Sequence, residues 1–265
     1  MKLIRTLTFL GGLLMMVMAI GFIFRLPFAV NLWPWEDGRY SYLFIGSILA
    51  AAGAAALWIG WTGELCNLPA GTLNLFVIGL TTSIYFFYLY LQGRSGMLVY
   101  AVASLLVGLI SGGFFLWSRR LPLTDTRPTP GLVRVSFGIF VATLLLAGTA
   151  LVLRMPIFPW DLNPDSSVIF GCIFLGDAFY FIYALLRPHW GNAFGQLLSF
   201  LAYDLVLIVP FLLLLESVKP GHLQSLVIYI VVLLYSGGLA AYYLFLNPKT
   251  RVGSLVKDER QSAGR

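Results

Sequence analysis

Residues 33–61 read WPWEDGRYSYLFIGSILAAAGAAALWIGW, and residues 158–186 read FPWDLNPDSSVIFGCIFLGDAFYFIYALL. Pro34, Trp35, Ser41, Gly46 and Ile48 recur as Pro159, Trp160, Ser166, Gly171 and Ile173, each 125 residues later. The same offset carries Asn67 onto Asn192, Gly96 onto Gly221, and Ser111-Gly112-Gly113 onto Ser236-Gly237-Gly238. Upstream, Arg5 through Arg25-Leu26-Pro27 recurs as Arg134 through Arg154-Met155-Pro156 at an offset of 129, so the first copy holds the longer outer loop. Spacing this regular, on stretches this apolar, predicts one membrane unit written twice. The predicted fold is an all-α integral membrane bundle of eight transmembrane helices, as two tandem four-helix repeats in one orientation.

Composition agrees. The hydrophobic fraction is 59% and the charged fraction 11%, where a soluble domain carries roughly a quarter charged residues. Apolar runs of bilayer length fall near 6–24, 41–61, 73–91 and 97–117 in a first repeat over 1–121, and near 135–153, 167–186, 194–215 and 223–245 in a second over 134–246. A Pro- and Arg-containing linker, 122–133, joins them, and a basic tail, 247–265, follows. With the N-terminus inside, all seventeen Lys and Arg except Arg25, Arg39, Arg94, Arg154 and Lys219 fall on the inner side. That positive-inside bias places both termini in the cytoplasm. Trp33, Trp35 and Trp160 then mark the outer interface, and Trp58, Trp61, Trp117 and Trp190 the inner one, the depth an indole prefers. The net charge of +6 is therefore a topology signal. No basic patch with interleaved aromatics points to nucleic acid.

The first apolar run has no small-x-small cleavage site, and its counterpart is internal, so it reads as a retained span. Cys66 and Cys172 fall at opposite interfaces, too far apart to pair. The Ala/Gly run 50–56 and the two Ser-Gly-Gly motifs predict close helix packing. Asn67 and Asn192 read as helix caps, and Glu64 and His189 as solvated groups.

Two constellations carry chemical interest. On the outer loops stand Arg25, Trp35 and Glu36 in one copy, and Arg154, Trp160 and Asp161 in the other, with Asp37 and Asp165 beside them. An Arg, a rigid Pro and an acid in each copy form two ion-paired caps that set depth, or an outer site for an anionic headgroup or small solute. Within the spans, Asp177 and Asp204 each lie about ten residues in, roughly 15 Å deep. They stand on consecutive antiparallel helices that bring them within reach of each other, with Tyr180 on the Asp177 face as a hydrogen-bond donor. Copy one has Ala52 and Gly79 there. Such acids mark either a protonation site or interhelical glue.

Other chemistries lack their residues. His189 and His222 are the two histidines, so paired axial His for haem is absent. No His/Cys/acid cluster has zinc spacing, and neither a phosphate loop nor a nucleophile elbow occurs. No cofactor is expected.

The stretch WPWEDGRYSYLFIGSILAAAGAAALWIGWTGE, residues 33–64, resembles a segment of uncharacterised bacterial multi-pass membrane proteins with a Trp-Pro-Trp before a Gly/Ala-rich span. The resemblance covers about the first quarter of the chain. It implies a bacterial inner-membrane setting and no activity. The sequence thus predicts a non-enzymatic membrane protein, a structural or accessory subunit whose partners are the bilayer and a membrane protein. A proton- or cation-linked transporter of a small solute, using Asp177 and Asp204, is the alternative. A lipid-acting enzyme with an outer acid/Arg site is a third reading; it needs a nucleophile or metal that the sequence does not supply.

Overall fold

A computed structural model describes residues 1–251; the predicted tail lies largely outside them, with Lys257, Arg260 and Arg265. The described chain is helical: α1 (Lys2–Ile23), a short α2 (Pro27–Val30), α3 (Arg39–Thr62), α4 (Leu68–Leu91), α5 (Met97–Ser118), α6 (Gly131–Val152), α7 (Pro164–Leu186), α8 (Trp190–Leu214) and α9 (Leu223–Ala241). Short 3₁₀ turns at Leu65–Asn67 and Pro220–His222 lead into α4 and α9, and a π turn, Tyr242–Leu246, ends α9. Eight of these segments are long and apolar enough to cross a membrane. Each coincides with a predicted span, and most begin a few residues earlier, where polar residues and prolines form first turns.

The helix ends follow from local chemistry. Pro164 opens α7, and the Asn163 side chain accepts the Asp165 N–H at 2.9 Å, an N-cap with Pro at the first helical position. Gly63 ends α3 at φ 83°, the left-handed conformation that glycine adopts freely. The ends of α1 and α6 use arginine in that role. Arg25 lies at φ 55° and Arg154 at φ 60°. After each, the next N–H reaches back five residues, Leu26 to Gly21 at 2.7 Å and Met155 to Ala150 at 2.9 Å. This is the Schellman closure with a side chain where glycine is usual.

The helices pack as two rows. In one, α1 packs on α3, α3 on α8 and α8 on α9. In the other, α5 packs on α4, α4 on α7 and α7 on α6. Each row joins two helices from each half of the sequence, and the consecutive pairs α3/α4 and α7/α8 share little backbone contact. Small residues set the crossings. A Cβ on Gly12 would meet the Leu57 N at 2.7 Å, one on Gly171 the Gly148 O at 2.7 Å, and one on Gly79 the Gly108 Cα at 2.6 Å. Backbones can approach this closely only without side chains between them. The Ala/Gly run of α3 packs closely on a helix, as its composition predicts, and that helix is α1. In the Ser-Gly-Gly motifs the middle glycine is the packed one: Gly112 faces Phe76, while Gly113 and Gly238 face open space.

Aromatic side chains join the rows. Phe44 of α3 meets Phe170 and Phe174 of α7 at centroid distances of 4.7 and 5.6 Å, and Phe200 of α8 meets Phe140 and Phe181 at 4.7 and 5.0 Å. Leu, Ile and Val side chains cover much of the exposed surface of α1, α5 and α6. That is the reverse of a soluble surface and suits contact with lipid tails.

Candidate functional site

The two intramembrane acids do not meet. Asp177 of α7 accepts a hydrogen bond from Asn74 Nδ2 of α4 at 2.7 Å. Asp204 of α8 accepts one from Ser236 Oγ of α9 at 3.1 Å. The expected pairing fails because α7 and α8, though consecutive, belong to different rows, and each acid finds its partner within its own row. Tyr180 does not serve Asp177 either; its hydroxyl points to Ser199 and Gly195 of α8.

Around the acids runs a buried polar seam. Ser199 donates to the Ala51 carbonyl at 3.0 Å, and Gln196 Nε2 to the Tyr180 carbonyl at 2.7 Å. Tyr203 and Tyr229 share a short hydroxyl contact, with both carboxylates in electrostatic reach. Three oxygens in the seam have no hydrogen-bond partner: Asn74 Oδ1, Gln196 Oε1 and Asp204 Oδ2. The last belongs to a residue only 5% exposed. An unmatched buried acceptor costs on the order of 1–3 kcal/mol, so Asp204 is incompletely satisfied where Asp177 is tied.

The tryptophan-bearing loops form a second region, at the ends of the spans. Trp160 Nε1 donates to Ser41 Oγ at 3.1 Å, and Trp33 Nε1 to Ser166 Oγ at 3.3 Å. Ser41 and Ser166 are equivalent at the 125-residue offset, so each half's serine receives an indole from the other half. Asp37 accepts from Trp33 at 2.8 Å and from Ser166. Burial, outweighing these bonds, raises its pKa above the usual carboxylate value.

The loop residues that the sequence reading grouped on the outer side fall into two separate clefts. A cleft of about 960 Å³ contains Arg25, Trp35 and Glu36. Another, of about 170 Å³, contains Arg154, Trp160 and Asp161. An Arg–acid pair forms in the second half only, between Arg154 and Asp165; Arg25 pairs with neither Glu36 nor Asp37. Arg154 reaches Tyr85 Oη at 3.1 Å and Asp165 at 3.4 Å, and Asp165 also holds Arg94 at 2.5 Å and the Tyr85 hydroxyl at 2.7 Å. Asp161 pairs instead with Lys219 at 2.5 Å and His222 at 3.1 Å. The Lys219 and His222 hydrogen bonds hold the Asp161 carboxyl below its ordinary pKa. Bonding to Tyr85 raises the Arg154 guanidinium, and bonding to Asp165 raises that of Arg94.

Three features of the sequence reading change on the opposite, linker face. Asn67 makes no side-chain cap. Asn192 lies inside α8 and donates to the Arg187 carbonyl at 2.8 Å. Glu64 is not free in solvent; it accepts from the Thr124 hydroxyl and the Cys66 thiol. The backbone at His189 also meets linker residue Pro128 in an isolated antiparallel bridge. Cys66 and Cys172 are both free and buried.

Asn74, Tyr85, Gln196, Ser199, Tyr203 and Tyr229 are among the interacting residues that sequence reasoning passed over, and Arg94 and Ser236 were noted only for topology and packing. Asn74 had a legible signal: at the 125-residue offset it matches Ser199, so both halves carry a polar group at one level of their third span. Among the described residues, no group of three or more His, Cys, Asp or Glu is placed to hold a metal ion. No protein-family model, no curated protein and no solved structure matches the chain.

Proposed function

We propose that the chain is a non-enzymatic multi-pass protein of a bacterial inner membrane, acting as a structural or accessory subunit. In this reading it consists of two tandem four-span repeats with both termini cytoplasmic. One observation carries the role: polar side chains within the spans bind one helix to another. Asp177–Asn74 ties α7 to α4, Ser199 ties α8 to α3, Ser83 ties α4 to α5 through the Ala101 carbonyl at 2.8 Å, and Ser136–Tyr235 ties α6 to α9 at 2.6 Å. Such bonds hold a bundle together in lipid. Matched arginines at 25 and 154, matched Ser41 and Ser166 contacts and the exchange of helices between rows support the duplication. The test is extraction from native membranes in mild detergent, followed by mass measurement. The expected result is a defined complex with a second membrane protein at fixed stoichiometry, and no proton or cation flux when the chain alone is placed in vesicles. A lone chain that conducts overturns the proposal.

The unpartnered Asp204 oxygen favours a second reading, proton- or cation-linked transport of a small solute. It requires solute-dependent flux in vesicles that Asp204→Asn removes. Flux equal to that of empty vesicles rejects it.

A further inference from the structure

The two loop clefts hold matching residues in opposite states. In the 170 Å³ cleft, Arg154 and Asp161 are engaged by Tyr85, Asp165, Lys219 and His222. In the 960 Å³ cleft, the counterparts are free. The Arg25 guanidinium makes one contact, lying 5.8 Å from the Tyr42 ring centroid. Neither it nor the Glu36 carboxylate has a hydrogen bond or ion pair among the described residues. Trp33 and Trp35 stand beside them with rings 5.9 Å apart at 78°. Asp37, the other acid, is already occupied by Trp33 and Ser166.

We infer that this larger cleft binds a zwitterionic phospholipid headgroup, with its phosphate on Arg25 and its ammonium on Glu36. One free cation and one free anion in a single cleft select a ligand with both charges. A simple anion would meet Glu36 unpaired, and a simple cation would meet Arg25 unpaired; both arrangements are penalised. A guanidinium forks onto phosphate oxygens, and an ammonium forms a charge-assisted hydrogen bond to a carboxylate. The volume fits the range of small-molecule sites, about 300–1,000 Å³, and the smaller cleft falls below it. A lipid source is favoured over a soluble zwitterion by the surroundings. Phe24 lines the cleft at 70% exposure, and Phe28 and Leu32 on the neighbouring segment are 51% and 58% exposed. That apolar shoulder is where acyl chains would lie. The site stands apart from the subunit role proposed above.

The experiment uses the full chain, extracted from vesicles of equal parts phosphatidylethanolamine and phosphatidylglycerol and weighed intact by native mass spectrometry. Retention of one phosphatidylethanolamine is expected. Arg25→Gly and Glu36→Gln should each lower retention at least tenfold, since a charged hydrogen bond is worth about 1.5–3 kcal/mol. Arg25→Gly is the decisive variant, because φ 55° is glycine's own region and the backbone keeps its course. Arg39→Gln, which changes a charge on the same face outside the cleft, should retain the lipid as the wild type does. Equal retention of phosphatidylglycerol, or wild-type retention by Arg25→Gly, overturns the inference. Displacement by glycerophosphoethanolamine at the lipid's own concentration overturns the lipid source.

Discussion

The α4–α5 and α8–α9 crossings stand 125 residues apart and are built in opposite ways. At the first, Gly79 lies so close to α5 that a Cβ would meet the Gly108 Cα at 2.6 Å and the Ser104 carbonyl at 2.8 Å. At the second, the matching residue is Asp204, which reaches Ser236 Oγ at 3.1 Å and lies 3.2 Å from where Gly237 would carry a Cβ. The shared spacing decides which helices cross. The residue at the crossing decides how closely. Where backbones touch, no polar group is left over; where a carboxylate separates them, one oxygen stays unmatched. The sharpest way to break this comparison is to put the same side chain at both places. Gly79→Leu should lose at least about 3 kcal/mol or fail to fold, because backbone and not a flexible side chain blocks the site. Asp204→Leu should lose no more than about 1.5 kcal/mol, since the site already holds a side chain and loses an unsatisfied oxygen. Reversible unfolding in mixed micelles measures both, and equal losses would mean that the crossings are alike.

A second comparison concerns the ties between α4 and α7 and between α3 and α8. Asn74 and Ser199 hold matching positions, as do Ala52 and Asp177. In one tie Asn74 donates to the Asp177 carboxylate; in the other Ser199 donates to the backbone carbonyl of Ala51. Asp177 therefore stands at a level where the other half also makes a bond, which favours a tie over a relay. Asp177→Ala should cost about 1–2 kcal/mol, because Asn74, whose Oδ1 already lacks a partner, is left with its amide unpaired as well. Ser199→Ala should cost about 0.6 kcal/mol, the average for interhelical bonds in membranes. A double-mutant cycle of Asn74→Ala with Asp177→Ala should return a coupling near 1 kcal/mol. A coupling of zero would mean that the 2.7 Å contact has no weight.

The spans were legible because burial in lipid demands about 20 apolar residues in a row, and this chain has eight such runs. Close packing of α3 on another helix was legible too, from its run of Ala and Gly, though not that the partner is α1. Which span neighbours which was not. Consecutive helices joined by short links ordinarily pack together, and that rule placed Asp177 beside Asp204. The real neighbour of Asp177, Asn74, comes from the other half of the sequence, and that of Asp204, Ser236, from the next helix of its own half, a choice made by surfaces that no local pattern encodes. The Asp165 cluster was hidden for the same reason: Tyr85 and Arg94 lie 80 and 71 residues away. Of the two loop arginines singled out in the sequence, Arg154 reaches Asp165, 11 residues on, and not the nearer Asp161, while Arg25 has no carboxylate partner.

The smallest effect separates those arginines. Arg25 and Arg154 end α1 and α6 with the same closure, at φ 55° and 60°. An L-residue in that region costs roughly 1–2 kcal/mol that glycine does not incur, less the greater freedom glycine gains when unfolded. At position 25 the guanidinium touches little besides the Tyr42 ring. Arg25→Gly should therefore raise stability by up to about 1 kcal/mol. At position 154 the same change removes the contacts to Tyr85 and Asp165. The Arg154 side chain is half exposed, and exposed ion pairs are worth about 0–1 kcal/mol, which is enough to cancel the backbone gain. Arg154→Gly should leave the unfolding midpoint within about 0.5 kcal/mol of the wild type. Paired melts of the two variants in one detergent decide the matter. If both rise together, the Arg154 contacts carry no net energy and the two ends differ only in geometry. If Arg25→Gly alone rises, the first half holds an arginine that packing does not need, and its guanidinium is left available for the ligand inferred above.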